Sequence, residues 1–104
     1  MAQAQVWGEN VLWIDARPED HFEREHVPGA LLLNEDRWNE LLPQVLGTWS
    51  PEKRVIVYCD TDGCGASREV AHRLREEAGL KDNEGKNSVF VLKGGWKAWV
   101  ESRK

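Results

Sequence analysis

The residues best suited to chemistry stand together in one stretch, Tyr58-Cys59-Asp60-Thr61-Asp62-Gly63-Cys64-Gly65-Ala66-Ser67-Arg68. It follows the apolar run Val55 to Tyr58 and leads into an amphipathic segment, so it reads as a strand end, a loop and a helix start. In such a loop several backbone N–H groups turn toward the centre, and the helix dipole adds partial positive charge there. A thiolate at Cys59 would be stabilised, and its pKa is expected below the reference of about 8.5. The same amides could hold the anionic sulfur of a persulfide or the oxyanion of a bound substrate. Cys59 is therefore the candidate nucleophile. Asp60, Thr61, Asp62, Gly63, Cys64, Gly65, Ala66 and Ser67 are the candidate binding residues around it. Gly63 and Gly65 permit the positive φ that such a loop needs. Against this stands a plainer reading, in which a strand-end cysteine is a small apolar filler.

Other groups could contribute. Cys64 is either a resolving thiol, closing a disulfide with an oxidised or persulfidated Cys59, or a passive loop residue. Arg17 follows the first apolar run and could supply positive charge to a bound anion, or pair with Asp15 or a helix carboxylate. His21 and His72 read as solvated helix residues without the carboxylate partner of a catalytic triad. No metal site is expected, because no second ligand pair follows Cys59 and Cys64.

The elements that position these groups are legible from pattern. Four apolar runs, Val11 to Ile14, Ala30 to Leu33, Val55 to Tyr58 and Val89 to Leu92, are continuous rather than alternating. Such runs predict strands covered on both faces, as in a parallel sheet. Pro18 with Glu19 and Asp20 opens a short helix that carries Phe22 inward and stops before Pro28-Gly29. Asn34 or Asp36 caps a segment bearing Trp38, Leu41, Leu42 and Val45, which Pro43 is expected to end or kink. Gly47 and Ser50-Pro51 then make the turn into the third run. Ala66, Val70, Leu74 and Ala78 predict a helix with Gly79 as its stop. Lys93-Gly94-Gly95 breaks the last strand before a short helix with Trp96 and Trp99 as core-closing residues. Strands alternating with helices predict an α/β fold, a parallel sheet with helices on both faces.

The chain has 104 residues, room for one domain: a lead-in over 1–10 and a single domain over 11–104. Lys and Arg number 14 against 18 Asp and Glu, a formal charge of −4, which argues against nucleic-acid or anionic-membrane partners. No apolar run approaches the roughly 18 residues of a membrane span, and no basic-then-apolar leader is visible. Two cysteines do not make a disulfide scaffold, so a reducing, cytoplasmic compartment is the expectation.

Taken in order, several of these motifs resemble the single-domain rhodanese-like sulfurtransferases. They are Asp15-Ala16-Arg17, His26-Val27-Pro28-Gly29-Ala30, Val57-Tyr58-Cys59, the helix start Ser67 to Leu74, and Val91-Leu92-Lys93-Gly94-Gly95-Trp96. The resemblance implies a three-layer fold with a parallel sheet of four to five strands, and a Cys59 persulfide. Sulfane sulfur would come from thiosulfate or a persulfide and pass to a thiol, cyanide or protein acceptor, without metal or organic cofactor. It also assigns His26 to packing of its turn. The loop here is about two residues longer than the family's, Ala66 falls where a basic residue often lies, and Asp60 and Asp62 would oppose a dianionic donor if they point inward. Two other functions remain. One is a non-enzymatic or weakly active sulfur-carrier module. The other is a cysteine phosphatase, which needs an arginine six positions after the cysteine, where Gly65 stands.

Overall fold

The four apolar runs become four parallel strands in a computed structural model that describes residues 11–60, 65–81 and 84–102. They are β1 (Val11–Asp15), β2 (Leu31–Leu32), β3 (Arg54–Tyr58) and β4 (Val89–Val91), in the spatial order β2-β1-β3-β4. Registers are parallel throughout, with Asp15 opposite both Leu32 and Tyr58, and Val57 opposite Val91. The helices are α1 (Glu19–Arg24), a 3-10 turn (Glu35–Arg37), α2 (Trp38–Thr48), α3 (Ala66–Glu76) and α4 (Gly95–Ser102). The 1–10 lead-in lies outside the described residues.

Alternation along the strands sorts the core into two layers. Leu12, Ile14, Val55 and Val57 point to one face, where Trp38 and Val45 of α2 and Val70, Ala71 and Leu74 of α3 cover them. Ile56 and Tyr58 point to the other, with Val27, Ala30 and Leu92, flanked by Trp13, Trp96 and Trp99. Helices thus cover both faces of an α/β sheet, as the continuous runs predict.

Three local expectations change. Pro43 does not end its segment: α2 runs through it to Thr48, taking in Gly47. An interior proline costs about 3 kcal/mol. Val45, fully buried beyond it, contributes roughly 1.5–3 kcal/mol by burial, and Leu41, Leu42 and Trp49 pack beside it. The tertiary contacts outweigh the local penalty. Asn34 does cap the preceding turn, its side-chain oxygen accepting from the Arg37 N–H at 3.0 Å. Phe22 is only half-buried and stacks on His26 at 3.9 Å, because α1 has no fully buried position.

Candidate functional site

The carboxyl ends of β1 and β3 lie side by side, and the chain leaves β3 through Cys59 and Asp60. The Ala16 N–H donates to the Tyr58 carbonyl at 2.9 Å. From the other side, α4 supplies its free first-turn amides. Trp96 donates to the Cys59 carbonyl at 2.6 Å and Lys97 to the Asp60 carbonyl at 3.2 Å. Reaching this position requires two consecutive glycines at positive φ, Gly94 at 86° and Gly95 at 63°. A Cβ on Gly94 would also lie 2.7 Å from that of Ala98.

Cys59 is 1% exposed and disulfide-bonded. The oxidised state departs from the reduced thiol that composition suggests. The sequence holds one other cysteine, Cys64, which lies outside the described residues together with Thr61, Asp62 and Gly63. Although buried, Cys59 is not entombed: it lines a cavity of about 380 Å³ with Ala16, Pro18, Asn34, Glu35, Asp36, Asp60 and Ala66. Of the candidate binding residues, the structure brings Asp60 and Ala66 into this cavity beside Cys59. Ser67 is buried in the first turn of α3, and Gly65 caps that helix. Gly65 has φ −78°, so it does not use the left-handed freedom expected of it; an entry into right-handed helix needs none.

Arg17 is committed elsewhere. Its Nε and Nη2 donate to the Asp15 carboxylate at 3.0 and 2.7 Å, and its backbone N–H donates to Asp15 Oδ1 at 2.8 Å. Nη2 also donates to the Glu25 carbonyl at 2.5 Å. The guanidinium lies 4.6 Å from the Trp96 ring centroid and 5.6 Å from that of Tyr58. The Tyr58 hydroxyl donates to Asp15 Oδ2 at 2.9 Å and accepts the Val27 N–H at 3.1 Å. This buried carboxylate is therefore satisfied from every side, as a charge out of water must be. Burial opposes the Arg17 charge, but the hydrogen bond and charge of Asp15 outweigh it and raise its pKa. Burial, aided by Asp15, pushes the Tyr58 phenol well above its ordinary value.

Asp60 sits between the two environments. Its Oδ2 lies 3.2 Å from His21 Nδ1 and its Oδ1 lies 3.6 Å from Arg17 Nη1. His21 thus has the carboxylate partner that the sequence reading denied it. The pair joins residues 39 apart in sequence, and only the folded chain brings them together. Arg17, His21, Arg24, Glu25, Asp60 and Trp96 line a second cavity of about 310 Å³. Trp96, read as core, is half-buried and forms part of this wall.

A sheet whose strand-end cysteine opens on a cavity is what the resemblance leads one to expect, and the family model for the rhodanese-like domain matches residues 1–102. The chain belongs to the rhodanese-like domain family. That family includes sulfurtransferases. Among solved structures, the rhodanese-like chain is similar to the BH2092 protein of Bacillus halodurans, with TM-score 0.73 and 22% identity over 98% of this chain and 66% of that one. It is similar to a rhodanese-like domain protein of Staphylococcus aureus, with TM-score 0.62 and 20% identity over 94% of this chain and 82% of that one. A protein of unknown function from Rhodopseudomonas palustris, described as a possible tyrosine phosphatase, matches with TM-score 0.62 and 22% identity, over 98% and 74% of the two chains. These likenesses establish the fold. No curated protein matches the sequence. Among the described residues, no helix is long and apolar enough to cross a membrane.

Proposed function

We propose that the protein is a sulfurtransferase in which Cys59 carries sulfane sulfur as a persulfide. The observation that supports this most is the position of Cys59, at the carboxyl end of a central parallel strand and on the wall of a cavity, within a rhodanese-like domain. Ligands of such sheets bind beyond the strands' carboxyl ends. The reduced Cys59 thiolate attacks the sulfane sulfur of the donor. The bond from that sulfur to the rest of the donor breaks, and its electron pair leaves as sulfite or a thiolate. An acceptor nucleophile then attacks the outer sulfur of the persulfide, and Cys59 departs as thiolate. The two displacements balance, and no outside oxidant or reductant is consumed.

The disulfide-bonded form must be reduced before it can react, so activity is expected only after treatment with a reductant. Phosphatase chemistry lacks its phosphate clamp, since Gly65 stands at the required arginine position. Intact-mass spectrometry of the reduced protein after incubation with thiosulfate or an alkyl persulfide tests the proposal. The expected result is a gain of one sulfur atom on Cys59, removed by cyanide. Full sulfur transfer by a Cys59→Ser protein would overturn it. Steady-state thiocyanate production distinguishes turnover from the carrier alternative, in which a persulfide forms but is not passed on.

A further inference from the structure

The walls of the Cys59 cavity also bear on which donors enter it. Glu35, Asp36 and Asp60 bring three carboxylates, and no lysine or arginine is among the described lining residues. The neighbouring loop adds none, since positions 61–64 are Thr-Asp-Gly-Cys. Three cations near these walls are engaged elsewhere: Arg17 in its Asp15 cage, Arg37 with Glu19 and Glu40, and Arg73, which feels the Glu35 charge, in an ion pair with Glu77. His21 and Arg17 partly offset the Asp60 charge from the opposite side. Glu35 and Asp36 form no ion pair among the described residues. Asn34, between them and β2, has its side chain occupied by the Arg17 carbonyl and the Arg37 N–H, so it has little left to offer an anion.

We propose that the Cys59 cavity selects small sulfur donors carrying positive charge near the sulfur, an aminoalkyl persulfide rather than a dianion such as thiosulfate. This rests on the sulfur-transfer reading above and specifies its substrate class. The volume of about 380 Å³ suits a small molecule. A cleft lined by one sign of charge raises the local concentration of oppositely charged ligand by about tenfold or more, and salt weakens the effect. The reaction is Cys59–S⁻ + R–S–SH → Cys59–S–SH + R–S⁻. The donor's S–S bond breaks, a new one forms at Cys59, and the leaving thiolate takes the electron pair. With an aminoalkyl group as R, the ammonium faces Asp36 and Glu35 while the outer sulfur meets Cys59.

The test uses three donors of equal length, aminoethyl, hydroxyethyl and carboxymethyl persulfide, whose tails are positive, neutral and negative. Rapid-quench mass spectrometry of the reduced full chain gives the rate of sulfur gain on Cys59. The expected order is positive over neutral over negative, spanning at least about tenfold at low salt and narrowing as salt rises. Glu35→Gln with Asp36→Asn is expected to reduce the positive-to-negative ratio severalfold. Glu84→Gln, on the exposed loop before β4, should leave that ratio alone. Equal rates, a reversed order, or a ratio unmoved by the double substitution would overturn the charge selection while leaving sulfur transfer standing. If all three donors fail to persulfidate reduced Cys59, both proposals fall.

Discussion

On either side of Asp60 lie two environments of opposite character. The first holds Asp15, Arg17, Tyr58 and Trp96, a dense set of charged and aromatic groups that resembles catalytic machinery. Its central carboxylate is fully used: shielded from water, it accepts from a guanidinium, a backbone amide and a phenol. The second has only Cys59 as a reactive atom, with carboxylates at its rim and open volume before it. A carboxylate so satisfied has little bonding capacity left for a substrate, whereas the sparse side has space and a nucleophile. The comparison teaches that spare valence, rather than density of titratable residues, marks where chemistry can occur.

Substitutions can break this contrast, and the largest effect is expected on the sparse side. Cys59→Ser should abolish sulfur gain by mass spectrometry while leaving the thermal midpoint close to that of the parent measured with its disulfide reduced. On the crowded side the pattern should invert. Asp15→Asn leaves Arg17 with an uncompensated buried charge and is expected to cost about 3–5 kcal/mol in denaturant titration, a large part of a small domain's stability. Any loss of sulfur transfer should then track the unfolded fraction.

Gly94→Ala combines a strained left-handed backbone with a clash against Ala98, and a loss of about 2 kcal/mol or more is expected from the same titration. Tyr58→Phe removes a hydroxyl that bridges the Val27 N–H and Asp15, and should cost about 1–3 kcal/mol. The phenol also sets an alkaline limit. Its folded pKa lies above that of the unfolded chain, so its contribution is complete below about pH 10 and is lost as pH rises from there toward the folded value. As Tyr58 is the sole tyrosine, tyrosinate absorbance reports it alone and should appear only as the chain unfolds. His21→Ala, which breaks a partly exposed pair with Asp60, should cost no more than about 1 kcal/mol.

What the sequence made legible were features whose cause is local. Continuous β-branched runs produced strands. Ala66, Val70 and Leu74 placed one face of α3, and Gly79 at φ 69° ended it, with the Leu80 N–H reaching the Leu74 carbonyl. Cys59 could be placed at a strand end because Val55 to Tyr58 ends there. Features that depend on distant partners stayed hidden. The passage of α2 through Pro43 depends on a core that only exists once the sheet has formed. The His21 contact depends on Asp60, and the commitment of Arg17 to Asp15 was one of two open readings. A disulfide at Cys59 was likewise one of two open readings, since residue types alone do not encode the redox condition.

The two hydrogen bonds from Trp96 and Lys97 to the carbonyls of Cys59 and Asp60 have a consequence for biosynthesis. A ribosome delivers the nucleophile long before it delivers the helix that secures it. Until those later residues emerge, the carbonyls beside the sulfur have only water as a partner. The growing chain therefore contains β3 and its reactive corner before the helix that fastens them, and the pocket reaches its finished shape only once α4 has emerged.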